Sequence, residues 1–259
     1  MSVKPQDIFF LVFLWAVVFG ASQAQAKVFS YNNQTFAAFV RGGSGLSRLG
    51  QDAYVHSSGA STVFADDPVK FNLFGEVGLQ IAMGSVNMRL GLEALRPKET
   101  LIEGKNSSGT SLFTLTSGVF AYSPSVTFEF IYSVLGGVRF YSFLTASYSF
   151  VTLDNKYEMT AAGTTAFSPA TSYTEKADGS AFGGMLGLGF ETVFVDNATF
   201  SLDFGYRHLV VDNFKHKADG TVIGDMVAKG DTVMNHNGSA RKLDLGGVSM
   251  GAIFRFYIN

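Results

Sequence analysis

The chain has 259 residues, with 19 Lys and Arg, 21 Asp and Glu, a formal net charge of −2 at pH 7, 29 glycines, 26 phenylalanines and no cysteine. So balanced a charge leaves no basic surface for nucleic acid, and a chain without cysteine is not a disulfide-stapled scaffold. Stability has to come from a hydrogen-bonded ladder, an apolar core or a membrane.

The first segment is MSVKPQDIFFLVFLWAVVFGASQAQA. Lys4 precedes an apolar run from Ile8 to Gly20, and Ala24 and Ala26 flank Gln25 in a small-x-small cleavage site. This reads as a secretory signal peptide over residues 1–26, removed after Ala26. The apolar run is shorter than the roughly 20 residues a membrane-spanning helix needs. Residues 27–259 are then expected to form a single domain.

Thr35 to Gly45 reads as the first strand, with Phe36, Ala38 and Val40 on one face and Ala37, Phe39 and Arg41 on the other. The stretch FNLFGEVGLQIAMGSVNMRLGLEAL (71–95) reads as a hairpin. Phe71, Leu73, Val77, Leu79 and Ile81 share a face with Val86, Met88, Leu90 and Leu92 across it. Asn72, Glu76, Gln80, Asn87, Arg89 and Glu93 share the other, as period-two alternation dictates. A fourth strand, ending near Val134, sets Val126, Phe128, Phe130 and Tyr132 against Thr127 and Glu129. After LGG, the fifth sets Phe140, Leu144, Tyr148 and Phe150 against Arg139, Tyr141, Thr145, Ser147 and Ser149. The sixth sets Phe182, Leu186, Leu188, Phe190 and Phe194 against Gly183, Gly187, Gly189 and Glu191. VDNA supplies a turn, and the seventh sets Phe200, Leu202, Phe204 and Tyr206 against Ser201, Asp203, Gly205 and Arg207. The last, from Lys242, carries Val248, Met250, Ala252, Phe254, Phe256 and Ile258 against Ser249, Gly251, Arg255 and Tyr257.

Short connections near 83–85, 135–137 and 195–198 alternate with long ones near 46–68, 96–118, 153–180 and 211–241. Four long loops opposite three tight turns is the layout of an outer-membrane barrel. A closed eight-stranded barrel has room inside only for its own side chains, too little for an apolar face this bulky. The expected fold is therefore an all-β, eight-stranded antiparallel transmembrane barrel, with lipid outside and charges within. Several strands exceed the 9–11 residues a bilayer requires, so the barrel should project on its loop side.

Gly251, Phe254 and Phe256 fit the glycine-x-x-hydrophobic-x-aromatic signal read by the barrel-assembly machinery. With the strand rhythm, the chain resembles the small eight-stranded outer-membrane barrels of the OmpA, OmpX and OmpW type. The resemblance implies a Gram-negative outer membrane, contact with its lipids and lipopolysaccharide, both termini periplasmic and long loops extracellular. Tyr257, Ile258 and Asn259 follow the aromatic that ends many such proteins. The phenylalanine-rich barrel also faintly resembles the major outer-membrane barrel of predatory Bdellovibrio, with no motif behind it.

Arg41, Glu76, Arg89, Glu93, Glu129, Arg139, Glu191, Asp203, Arg207 and Arg255 fall on the inward face of the eight strands. In a narrow lumen these five acids and five bases have to pair. The pattern points to a structural or surface protein with a plugged lumen; the alternative is a small-solute or apolar-ligand channel. Enzymatic outer-membrane barrels place His, Asp and Ser together at the rim. Here His56, His216 and His236, with Asp66, Asp67, Asp212, Asp225 and Asp231, are loop residues, and His208 lies near a strand end. We expect no enzyme, no cofactor and no metal, since no histidine pair has zinc spacing and DNFKHKADG lacks calcium-loop acids. Small outward residues (Gly75, Ser142, Gly184 and Ala252) raise the expectation of a homo-oligomer.

Overall fold

The computed structural model describes residues 35–48, 63–64, 70–135, 137–167, 171–222, 225–235 and 238–258. The cleavage-site residues Ala24 and Ala26 lie outside them, as do His56, His236, Asp66 and Asp67. Eight strands carry the architecture: β1 (Phe36–Ser47), β2 (Lys70–Met83), β3 (Val86–Pro97), β4 (Ser111–Leu135), β5 (Val138–Met159), β6 (Tyr173–Val195), β7 (Ala198–Val211) and β8 (Gly247–Ile258). Each pairs antiparallel with its chain neighbour, and β1 pairs with β8 from Phe36↔Ile258 to Gly45↔Ser249. The sheet closes on itself and leaves no long edge.

Two-residue turns end the short side. Gly84 and Gly137 sit there at φ 76 and 83, values that glycine adopts without steric cost. Both ends of the described barrel chain are on this side, where the Ala82 amide donates to the Thr35 carbonyl at 2.8 Å.

The outward faces of all eight strands are apolar through the middle of the barrel. Leu73, Leu92, Phe130, Leu144, Leu186, Phe204 and Val248 are each about half exposed. An exposed apolar belt around the whole circumference far exceeds the patches tolerated in water, and marks a surface that meets lipid.

Three strands are much longer than the rest: β4 has 25 residues, β5 has 22 and β6 has 23, against 12 in β1, β3 and β8. The segments 96–118 and 153–180, expected as long loops, are therefore largely strand. Thr100–Lys105 pairs with the start of β4, and the β5–β6 connection shrinks to 160–172, with a short helix at Ala161–Ala166 capped by the Thr160 hydroxyl. The cause is an inversion of the alternation. Where β4 leaves the belt, Phe113, Leu115, Val119 and Ala121 turn inward and Thr114, Thr116 and Gly118 outward. In β5 the inward residues become Val151, Leu153 and Tyr157, with Asp154, Lys156 and Glu158 outside. The strands keep their register; the solvent outside them changes from lipid to water. Polar residues that read as loop are the wet face of a strand whose other face fills an apolar core.

Pro124 stands in the middle of β4. The β4–β5 ladder pairs Tyr122↔Phe150 and resumes at Ser125↔Ser147 in the same register, without rungs between. Proline has no N–H to donate, and the Ser123 and Ser149 hydroxyls bridge the gap at 2.7 Å.

Candidate functional site in the lumen

Each of the ten charged residues read as inward is buried: Glu129, Glu191, Asp203 and Arg255 are 0% exposed, and Glu93, the most open, is 9%. Their ion pairs sort into two layers. The layer toward the turn side centres on Arg255. Its guanidinium meets Glu129 at 2.6 Å and Glu191 at 2.7 Å, and donates to the Ser201 hydroxyl at 2.9 Å. Arg89 reaches Glu129 at 3.2 Å, Arg139 pairs with Glu191, and Tyr257 donates its hydroxyl to Glu191 at 3.0 Å. Three arginines here face two carboxylates.

The second layer, nearer the long connections, centres on Arg41. Its guanidinium grips Asp203 with two bonds of 2.9 and 3.1 Å, a fork geometry that fixes orientation as well as charge. It also meets Glu76 at 3.3 Å and Glu93 at 3.5 Å. Arg207 holds Glu93 at 2.6 and 2.7 Å. Here three carboxylates face two arginines, so the excesses are opposite and the two layers together are neutral. The Arg41 guanidinium lies over the Phe74 ring at 4.4 Å and that of Arg255 over Tyr141 at 5.5 Å.

Glycine makes these layers possible. A Cβ at Gly251 would stand 2.6 Å from Asp203 and 2.8 Å from Arg41; one at Gly91 would collide with the Glu76 carboxylate. Gly187 and Gly189 lie under the rings of Phe143 and Tyr141 in the same way. Inward glycines are thus sockets for large side chains from the neighbouring strands. Phe39, Phe74, Phe143 and Met185 are inward too, and the reading of the lumen as charged along its length missed Phe74, Phe143 and Met185.

Beside Arg41, between Glu76, Arg207, Ser125 and Met185, the lumen keeps a cavity of about 20 Å3. That is space for one or two waters. Above it lies the buried apolar cluster that includes Phe74, Leu95, Val119, Ala121, Val151 and Leu153.

A third polar group sits above that cluster. Arg241 and Glu175, each 1% exposed at the side chain, pair at 2.6 Å. Asn155 donates to Glu175 at 3.0 Å, and Arg241 to Asn235 at 3.3 Å. His216, expected as a loop residue, is buried beside them with Nδ1 3.8 Å from Glu175. Carrying the period-two count of β6 back through Ala177 would have placed Glu175 inward, though not its partner Arg241.

Gly251 is inward and Phe254 outward, while Phe256 is partly covered on the lipid face. His208 is exposed at the outer end of β7. Among the described residues no three His, Asp or Glu side chains group as a metal site.

No protein-family profile matches the chain, and no curated protein sequence does. Solved structures similar to it include Neisserial surface protein A (9% identity, 85% of this chain and 97% of that one, TM-score 0.39). The outer membrane protein OprG from Pseudomonas aeruginosa is 12% identical over 87% of this chain and 97% of that one, with a TM-score of 0.46. A major outer membrane protein from Thermus thermophilus is 14% identical over 85% and 99%, with a TM-score of 0.44.

Proposed function

We propose that this protein is an integral outer-membrane barrel that serves as a structural and surface element, its lumen closed by stacked ionic and apolar layers. The observation that carries the reading is the sequence of layers along one bore: Arg255 with its carboxylates, Arg41 with its own, then the apolar cluster. A cavity with room for one or two waters is too small for a solute. Vesicles loaded with the refolded barrel should therefore resist swelling in small sugars as empty vesicles do. Swelling at a porin-like rate would favour the alternative, a small-solute channel.

In this reading the turn side and both ends of the barrel face the periplasm, and the long connections face outward. Protease added to intact cells should cut only in connections such as 160–172 or 212–246. Cleavage at 84–85 or 196–197 from outside would reverse the orientation.

The barrel wall also supports self-association. Register sets Ala252 beside Gly42, Gly42 beside Gly75 and Gly75 beside Ala94, a row of small outward residues across four strands. No neighbour lies within 4 Å of a Cβ built on Gly42, so leucine fits there on an isolated barrel. In lipid, close approach of small surfaces is a principal source of attraction. Gly42→Leu with Gly75→Leu should dissociate any oligomer seen by native mass spectrometry and leave folding intact. Wild-type protein that is monomeric in every mild detergent would remove the idea.

A further inference from the structure

The outer half of the barrel is not walled by its eight strands alone. Between β6 and β8 the wall is continued by residues 212–222, 225–235 and 238–246, which include short extended pieces. Lys215 and His216 pair with Asp178 and Ala177 of β6, Lys215 bridges Thr232, and Met234 bridges Ala240. The alternation persists: Phe214, His216, Val233, Asn235 and Arg241 point inward, while Lys215 and Met234 point out. This panel has only a few rungs to its neighbours, whereas β5 and β6 share a ladder of 20 paired residues. Its inner face is tied to the barrel by Phe214 and Val233 in the apolar cluster, by Leu243 and Leu245 where it rejoins β7, and by the Arg241–Glu175 pair.

We propose that this panel is an acid-released section of the extracellular wall, with His216 as its trigger. The inference concerns the wall above the membrane and holds whether or not the lumen conducts. His216 is buried against Glu175 of β6, and Glu175 already holds Arg241 and Asn155 through one oxygen. From β5, Tyr157 and Asn155 face the same group; from the panel itself, Arg241 and Asp231 do. Lys215, Lys217, Lys176 and Asp178 lie on the outer side, with Lys217 and Asp178 paired at 2.9 Å. With His216 neutral, the buried charges are one arginine and one glutamate. A proton on His216 leaves this layer with an uncompensated positive charge next to Arg241.

Burial pushes His216 below the ordinary histidine value of 6.5; Glu175 pulls it back, and Arg241 pushes it down again. The open panel lets His216 take up its proton at the ordinary value. Closure is therefore fully favoured above pH 6.5 and is lost as pH falls below it toward the closed-state value. Opening would withdraw Phe214 and Val233 from the outer core and expose Tyr157 and Val211 to water.

The chain has no cysteine, so a spin-label pair at Thr174→Cys on β6 and Met234→Cys on the panel is unambiguous. Both positions are exposed. Electron–electron distances in vesicles should show one narrow population at pH 8. A second, longer population should grow below pH 6.5 and vanish on return to pH 8. His216→Asn and His216→Gln should stay narrow to pH 5. Heat-modifiable migration confirms that each variant is folded. A wild-type distance unchanged to pH 5, or neutral variants that open as wild type does, would overturn the proposal.

Discussion

Replacing Arg255 with leucine should destabilise the refolded barrel by about 3–5 kcal/mol, the usual consequence of removing one partner from a buried ion pair. Arg255 is wholly buried and is the only cation within 3 Å of both Glu129 and Glu191 among the described residues. Without it, Glu191 keeps Arg139, but Glu129 loses its closest counter-charge and is left with Arg89 at 3.2 Å, in a bore without bulk water. The measurement is the urea midpoint of refolding in vesicles, followed by heat-modifiable migration. Arg255→Lys should recover only part of the loss, because one ammonium cannot span both carboxylates and Ser201. Refolding in vesicles also separates this effect from assembly, since Arg255 lies within Gly251–Phe256, the stretch expected to serve as an assembly signal. An Arg255→Leu barrel as stable as wild type would mean that the inner layer does not depend on its central charge.

The second large effect belongs to a residue without a side chain. Gly187→Val should block refolding or cost several kcal/mol, because its Cβ would strike the Phe204 carbonyl and stand 2.6 Å from the Phe143 ring. Overpacking of a rigid interior typically costs about 1–3 kcal/mol, and a clash with backbone is less easily relieved than one with a side chain. Gly42→Ala is the control. Both are strand glycines, yet a Cβ at Gly42 meets nothing within 4 Å. It should change the midpoint by no more than about 0.5 kcal/mol. Equal losses at the two positions would show that strand propensity, and not the socket, explains the glycines.

Strand number, order and facing were legible because lipid outside and a polar lumen impose one alternation from β1 to β8. Glu76 and Arg89, for example, alternate with Val77 and Leu90 in plain view. Legibility ended at the outer membrane boundary, near Arg96, Phe120, Phe150 and Phe182. Beyond it water replaces lipid, the apolar residues turn inward, and Thr114, Thr116, Asp154 and Lys156 look like loop. The Glu175–Arg241 pair was hidden for the same reason, with the added difficulty that its partners are 66 residues apart. Pairing within the lumen was hidden differently. Alternation says that Arg41 points inward, but the choice of Asp203, 162 residues away, depends on barrel closure and on the space left by Gly251.

Single-channel recording of the purified barrel in planar bilayers reads out whether stacked layers close the lumen. Wild-type protein should give no steady conductance. Glu76→Gln and Arg89→Gln, one in each ionic layer, should stay closed too, because the apolar cluster of Phe74, Leu95, Val151 and Leu153 seals the bore above both. Steady, ohmic steps from folded wild-type barrel, unchanged by either substitution, would mean that the lumen is an open bore.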